Sequence, residues 1–467
     1  MTDVRKLMRI IAPLLAILAW FIANRSGMEH KAAVALGITL LTALWWMTEA
    51  VPIPIASLVP IALLPLLGVL PAKTTVAQSY GHPLILLLLG GFFLSKGMEH
   101  SGVHRRLALG MIRLCSVKEG GSPRALMLGF MLAAAMLSMW ISNTATTLML
   151  LPIALAVLSG TDSKTLAAPL LMGTAYAANI GGLGSPIGTP PNLVFIEQYE
   201  AATGTVMTFT GWMRYGIPII LIMLPLMWLW LSRHQKGTLH LNLPETGAWR
   251  PHEKRMLLVF GFTALAWVIR KEPFGGWSEW LNLPKANDAS VAFLGVIALF
   301  LIPSGEQDEQ GKQKPLLTWE AARDIPWGVL LLFSGGICLA AGIKDSGLSE
   351  RIANLLNGFG TLPVFALVLC ICLLMTFLTE LTSNTASTIL FMPILASVAL
   401  TNEIDPLLVM LPAALSASCA FMLPVATAPN AVVFGTGHLT VPKMMREGVV
   451  LNLIGVGVIT IYIWLFS

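Results

Sequence analysis

The chain has 467 residues, 56% of them hydrophobic and only 11% charged, with a mean hydropathy of +0.76. A soluble domain carries about a quarter of its residues as Asp, Glu, Lys or Arg, so this composition excludes a water-bathed globule and assigns the chain to the lipid bilayer. The net charge of +5 fits basic residues collected in cytoplasmic loops and gives no reason to invoke nucleic acid.

Long continuous apolar runs, instead of short alternating ones, require helices and exclude a barrel. Residues 1–9 are basic, 10–22 are apolar, and no small-x-small cleavage site precedes Asn24-Arg25. The run therefore reads as a retained first helix with a cytoplasmic N-terminus. Helices follow near 32–48 and 54–70, joined by the Pro-punctuated link Glu49-Ala-Val-Pro-Ile-Pro. A fourth runs from about 82 to a stretch holding Arg105, Arg106, Arg113, Lys118 and Arg124. A helix near 210–231 leads into a second basic loop, 233–255, and helices near 256–270 and 289–303 lead into a charged loop, 305–323. These loops are expected on the cytoplasmic side of the inner (plasma) membrane, which leaves the C-terminus periplasmic or extracellular. The expected fold is an all-α polytopic membrane protein with about 11 transmembrane helices.

Comparing the chain with itself exposes a duplication. The run Gly90-Gly91 to Gly97 to Ser101-Gly102 returns as Gly335-Gly336 to Gly342 to Ser346-Gly347, shifted by 245 residues. Ser142-Asn143-Thr144-Ala145 with Pro152 returns as Ser383-Asn384-Thr385-Ala386 with Pro393, shifted by 241. Pro186-Ile-Gly-Thr189-Pro-Pro191-Asn192 returns as Pro424-Val-Ala-Thr427-Ala-Pro429-Asn430, shifted by 238. The parts are then 1–81 as N-terminal scaffold helices, 82–232 as the first copy's core, 233–324 as cytoplasmic loops with two scaffold helices, and 325–467 as the second copy's core. By the loop charges the first copy's leading helix enters from outside and the second's from inside, so the copies are expected to be inverted.

Each Ser-Asn-Thr lies between two apolar arms of about 12–16 residues, short against ~30 Å of hydrocarbon at ~1.5 Å per residue. The economical model is a re-entrant helical hairpin with the motif at its tip and its base near Ser122 in one copy and Thr361 in the other. Hydroxyls and an amide supply donors to carboxylate oxygens and acceptors to a cation, and the helix restarting after each tip turns its positive dipole end to the same place. Segments 184–192 and 423–430 are Gly/Pro-rich breaks whose freed backbone groups need partners. One such motif alone reads as interhelical packing; two at matching offsets read as a site. Glu49 and Glu380 are either functional carboxylates or members of structural pairs. Lys96 and Glu99 suit an interface where long side chains snorkel. The histidines His82, His100, His104 and His438 lack metal-ligand spacing, the tryptophans (Trp45, Trp46, Trp228 and Trp230 among them) read as interfacial anchors, and the five cysteines read as small core residues.

The doubled Ser-Asn-Thr, the segment Thr48-Glu-Ala-Val-Pro52 and the late Ala428-Pro-Asn430 resemble the divalent-anion/sodium symporter family, which includes bacterial and animal Na⁺/di- and tricarboxylate cotransporters. The resemblance covers essentially the whole chain. It implies a homodimer with a scaffold part and a transport part, and elevator-type alternating access. It also implies a first Na⁺ site from Ser138, Ser142, Asn143 and Gly188, and a second from Thr379, Thr382, Ser383, Asn384 and Ala426. Substrate carboxylates would rest on Asn143, Thr144, Asn384 and Thr385, with Thr189 and Thr427 alongside. Thr189-Pro190-Pro191 faces Thr427-Ala428-Pro429 in the other copy, so the pocket's halves differ.

No Lys or Arg occurs within 138–147, 184–192 or 381–388. A di-anion there needs cations to enter with it, since uncompensated charge in a low dielectric is unfavourable. The expected function is import of C4-dicarboxylates such as succinate by symport with more than one Na⁺; anion exchange, citrate or sulfate are the alternatives within the family. No HExxH, GxSxG or Cys/His constellation supports an intramembrane enzyme, and inverted repeats with broken helices favour a carrier over a channel.

Overall fold

Hydrocarbon offers no partner to a backbone N–H or C=O, so a membrane segment closes its hydrogen bonds within its own helix. The computed structural model describes residues 2–115, 121–160, 165–238, 247–272, 274–307, 310–355 and 362–466; Lys118 and Thr361 lie outside them. Among these residues the structure is all-α apart from one small antiparallel hairpin, Pro303–Gln307 against Gln313–Pro315. With each broken helix counted once, the described helices Thr2–Arg25, His30–Thr48, 53–66, Pro83–Ser101, 167–203, Phe209–Ser232, Pro251–Val268, Asp288–Leu301, Trp327–Asp345, 406–434 and Val441–Leu465 account for eleven crossings. Seven described helices are long and apolar enough to span a bilayer; one of them, Asn384–Thr401, is a hairpin arm.

Polar contacts sort the loops into two ends. At one end Lys96 lies 3.5 Å from Asp324, Arg106 3.0 Å from Glu253, His252 3.4 Å from Glu306 and Arg233 2.7 Å from Glu447. Arg106, Arg233, His252, Glu253 and Glu306 belong to the stretches read as cytoplasmic, Asp324 adjoins one of them, and Lys96 and Glu447 lie on helices that approach the same end. At the other end Arg214 pairs with Glu272, the Tyr462 hydroxyl donates to the Arg214 carbonyl at 3.1 Å, and Lys344 Nζ donates to the Ala201 carbonyl at 3.4 Å. Helices Phe209–Ser232 and Val441–Leu465 run between the two ends in opposite directions. The first hairpin has its base at the first end, where Arg124 Nε donates to Ser232 Oγ at 3.1 Å. The second has its base at the other, where Phe365 meets Trp464 edge to face at 5.8 Å. The copies are inverted.

Glycine sets how tightly they interlock, as small residues do between membrane helices. A Cβ on Gly90 would fall 2.5 Å from Ala292 Cβ, and one on Gly97 2.8 Å from Leu299 Cδ1. The matching glycines of the second copy press on a different helix: Gly335 closes on the Ser57 carbonyl, and a Cβ on Gly342 would fall 2.7 Å from Leu64 Cδ1. Each copy's leading helix thus packs on a scaffold segment from the other half of the chain. Segments 53–66 and 288–301 are therefore counterparts, and the duplication reaches into scaffold helices that the sequence blocks did not include. Ser57 matches Ala292 and Leu64 matches Leu299, but a leucine in an apolar helix marks no register, so the segments do not align by eye.

Some expectations change. Trp46 is a core residue, 1% exposed, with its indole N–H donating to Ser57 Oγ at 3.0 Å; Trp212 and Trp267 are buried likewise. A tryptophan with a reachable acceptor is as stable inside as at an interface. Cys338, Cys372 and Cys419 are buried, but Cys370 is exposed and Cys115 half-buried. Two short helices that the apolar pattern did not reveal, Val103–Cys115 and Leu348–Leu355, follow Gly102 and Gly347, whose φ of 70° and 72° favours glycine.

Candidate functional site

The Ser-Asn-Thr motifs straddle helix starts. Ser142 caps Asn143–Ser159, its Oγ accepting the Ala145 N–H at 3.1 Å, and Ser383 caps Asn384–Thr401, accepting the Ala386 N–H at 3.4 Å. The tips are only four residues, 139–142 and 380–383, because a serine oxygen in the cap position satisfies a free amide and lets the helix begin at the asparagine. The return arms therefore start earlier than the apolar pattern suggests. Thr144 and Thr385 fall in the first turns, half-buried. Each helix start leaves first-turn N–H groups without a helical partner and carries the positive dipole end at its tip.

The breaks lie beside the tips. The helix Ala167–Gly181 tightens to a short 3-10 turn, Gly182–Gly184, and resumes as Pro190–Thr203; Pro406–Ala417 stops and resumes as Ala428–Phe434. Each break is clamped by one buried asparagine. Asn192 Nδ2 donates to the Gly182 and Ser185 carbonyls, both at 2.8 Å, and Asn430 Nδ2 to those of Ala420 and Leu423 at 3.1 and 3.0 Å. The resumed helix of each copy packs on the other copy's hairpin: Ala428–Phe434 on Asn143–Ser159, and Pro190–Thr203 on Asn384–Thr401. The four elements make one reciprocal cluster.

Of the first predicted cation group, Ser138, Asn143 and Gly188 gather around Gly182, and Ser142 does not join them. Ser138 Oγ donates to Asn143 Oδ1 at 2.5 Å. A Cβ added to Gly182 would lie 2.8 Å from Asn143 Oδ1 and 3.1 Å from Thr189 Cβ, and Gly188 turns back onto the Gly182 carbonyl. Ser142 is exposed at the tip. In the second group Thr379 is fully buried and donates to the Met375 and Thr376 carbonyls at 2.9 and 3.1 Å. Thr382 Oγ1 reaches the Leu378 carbonyl at 2.8 Å and Ser387 Oγ at 2.7 Å. Each hydroxyl spends its proton along its own arm and keeps a lone pair. Ala426 is buried. Beside it Thr427 Oγ1 accepts the Asn430 N–H at 3.2 Å and Asn179 Nδ2–H at 3.0 Å, whereas Thr189 makes no cap bond to its helix.

Asn384 Oδ1 is buried and has no hydrogen-bond partner among the described residues. A buried acceptor left open is costly unless something fills it. Together with neighbouring hydroxyl and carbonyl oxygens, it fits a hard monovalent cation, and the absence of Lys and Arg from both tips and the first break removes the competing positive charge. Glu49 is exposed and pairs with Arg5 at 2.5 Å. Glu380 is buried, and among the described residues its hydrogen-bond donors are the neutral Met422 and Leu423 N–H groups and the Asn452 amide. Lys96 pairs with Glu99 at 3.1 Å. Sequence reasoning missed Asn179, Gly182, Ser185 and Asn452; a lone amide inside an apolar run was the available signal for Asn179 and Asn452.

Residues 2–467 match the family model described as "Sodium:sulfate symporter transmembrane region". The chain belongs to the sodium:sulfate symporter family. Membership bears out the resemblance read from the motifs and makes the chain a transporter and not an enzyme. The sodium-dependent dicarboxylate transporter SdcS of Staphylococcus saprophyticus is 37% identical over 477 residues, spanning 97% of this chain and 90% of that protein. SdcS of Staphylococcus aureus strain USA300 is 36% identical over the same shares. Two solved structures share the fold at low identity. The Alcanivorax borkumensis YdaH transporter has a TM-score of 0.61 at 15% identity, covering 85% of this chain and 90% of its own. Neisseria gonorrhoeae MtrF has a TM-score of 0.56 at 14%, covering 84% and 83%.

Proposed function

We propose that the chain imports C4-dicarboxylates, succinate foremost, together with more than one Na⁺. The observation that carries this reading is the pair of capped Ser-Asn-Thr tips clustered with two clamped breaks, with Asn384 Oδ1 unpartnered and no basic side chain at either tip. Neutral donors at helix starts attract a carboxylate, and cations entering with a di-anion offset the charge that a low dielectric would leave uncompensated. The name of the SdcS relatives, sodium-dependent dicarboxylate transporter, agrees with that chemistry.

In this reading Asn143, Thr144, Asn384 and Thr385 hold the substrate carboxylates, with Thr189 and Thr427 at the sides. Ser138, Ser142, Asn143 and Gly188 hold one Na⁺, and Thr379, Thr382, Ser383, Asn384 and Ala426 hold another. The hairpins, broken helices and the helices Phe209–Ser232 and Val441–Leu465 form the transport part. The N-terminal helices of 1–81 and the two helices of 233–324 form the scaffold of a homodimer in the inner membrane, with the N-terminus cytoplasmic and the C-terminus outside. The glycine bends at Gly102 and Gly347, at matching places in both copies, suit an elevator in which the transport part slides. The family model's description names sulfate, and this favours sulfate as the second reading.

Purified protein in proteoliposomes tests it. Labelled succinate should accumulate only under an inward Na⁺ gradient. Counterflow without Na⁺ would make the protein an exchanger, and competition by sulfate but not succinate would reassign the substrate.

A further inference from the structure

Glu380 lies at the tip of the second hairpin, 3% exposed, and its contacts are with uncharged donors. Its Oε1 accepts the Met422 N–H at 2.8 Å and Asn452 Nδ2–H at 2.7 Å, and its Oε2 accepts the Leu423 N–H at 2.9 Å. Asn452, fully buried in the last helix, turns its Oδ1 to the Phe421 N–H at 3.1 Å. Two side chains thereby hold three successive amides. The amides need them, because one helix has ended at Ala417 and the next begins at Ala428. An unpartnered N–H inside a membrane protein is strongly unfavourable.

The first copy shows the same break without the pair. Gly216 closes on the Leu183 carbonyl as Gly448 closes on that of Phe421, which aligns helix Phe209–Ser232 with Val441–Leu465. By that alignment and the hairpin shift, the counterparts of Asn452 and Glu380 are Ile220 and Met139. Both are apolar and both line the break: a Cβ on Gly184 would meet Ile220 Cδ1 and Met139 Cγ at 2.8 Å each. There the chain winds into the turn Gly182–Gly184. The second break is unwound and takes its acceptors from side chains.

The same geometry argues against Glu380 as a cation ligand. Both carboxylate oxygens face N–H groups, and their positive ends would lie beside any ion bound there. We propose that Glu380, with Asn452, is a positioning residue for the second cation site, holding 421–423 unwound so that the carbonyls leading to Ala426 stay available beside the second tip. The proposal rests on the Na⁺-coupled reading above. It makes the two cation sites unequal: only the second depends on a buried carboxylate.

The test is the Na⁺ activation curve of succinate uptake in proteoliposomes, with a melting temperature for each variant. Glu380→Gln and Asn452→Ala should each raise the half-saturating Na⁺ concentration by about tenfold, the scale of one charge-assisted hydrogen bond. The Hill coefficient should fall, while the succinate KM at saturating Na⁺ stays within about twofold. The double variant should be no worse than Glu380→Gln alone, since the two side chains act as one unit. If Glu380→Gln does not fold, Asn452→Ala, which keeps the carboxylate, carries the same expectation. A Glu380→Gln protein with the wild-type curve overturns the proposal. So does a wild-type curve in Asn452→Ala beside a lost cation in Glu380→Gln, which would make the carboxylate a ligand. A wild type that ignores Na⁺ altogether sinks the symport reading instead, and is seen before any variant is made.

Discussion

In the first copy the break is wound and lined by Met139 and Ile220; in the second it is unwound and held by Glu380 and Asn452. Both keep the asparagine clamp and the glycine on which the following helix crosses. A second difference lies at the centre. Asn179 reaches across to Thr427 and to Asn430 Oδ1 at 3.3 Å, but its counterpart Ala417 has no side-chain amide, and Asn192 Oδ1 has no partner among the described residues. What the duplication keeps is backbone meeting backbone, where a change of one methyl is felt. What it releases is the side-chain layer behind, and there the halves of one pocket become unequal.

The largest effect expected breaks both halves at once. Asn143→Asp and Asn384→Asp each set a negative charge against a substrate carboxylate. At ~4 Å and an effective dielectric of ~20 that repulsion is about 4 kcal/mol, roughly a thousandfold in affinity. Uptake of labelled succinate should fall to background in both. Near-normal uptake in either variant would remove that half from the substrate site and leave the pocket one-sided.

Inversion is tested from the outside. Single cysteines at Ser122 and Leu362, in a background without Cys370, stand near the bases of the two hairpins. An impermeant thiol reagent applied to right-side-out vesicles should label the Leu362 position and spare the Ser122 position. Inside-out vesicles should reverse the pattern. Labelling of both from one side would mean that the copies are parallel.

The hairpins, the breaks and the inversion were legible because each rests on residue types that hydrocarbon forbids without a reason. A Ser-Asn-Thr or a Gly/Pro run at membrane depth stands out, and its recurrence at a fixed shift does the rest. The short helices after Gly102 and Gly347 were not legible, since charged residues (Arg105, Arg106 and Arg113 in one, Glu350 and Arg351 in the other) interrupt their apolar pattern and neither reaches spanning length. The scaffold counterparts 53–66 and 288–301 were hidden for another reason. Leucine for leucine, apolar helices match each other everywhere, and only the glycines pressing on Ser57 and Ala292 disclose the register. Within the site, the residues of the first group were readable, and Ser138, Asn143 and Gly188 of them lie together around Gly182. The clamp made by Asn452 was not, because it joins residues 72 apart in sequence through a last helix that reads as a plain apolar span.

The retained backbone contacts can be probed at Gly448. A methyl there would press on the Phe421 carbonyl and lie 2.6 Å from Met422 Cα, whereas one on Gly457 in the same helix meets nothing within 4 Å. Gly448→Ala should cost about 1–3 kcal/mol by overpacking, and should shift the Na⁺ activation curve because it moves the break. Gly457→Ala should stay within about 0.5 kcal/mol, as an open site does. Detergent melting curves read the first quantity and uptake the second. Gly216→Ala should destabilise to a similar degree, since it presses on Leu183 in the same way; a tolerant Gly216 would mean that the wound break of the first copy gives where the clamped one cannot.

The smallest effect belongs to Glu49, and its smallness is the point. Two acidic residues in apolar sequence were indistinguishable by hydropathy, and the structure separates them by what surrounds each. Glu49 ends helix His30–Thr48 in a left-handed conformation and holds Arg5 with half of each side chain in the open, and Arg9 Nε donates to the Ala50 carbonyl at 2.7 Å and ties the same two segments without it. An exposed pair of this kind contributes between about 0 and 1 kcal/mol and less at high salt. Glu49→Gln should therefore leave the melting temperature and the Na⁺ curve where they are, in the same assays in which Glu380→Gln moves the curve. A large loss of transport in Glu49→Gln would show that the N-terminal helix has to stay pinned to this link for the transport part to move, and would make the scaffold a participant in the cycle.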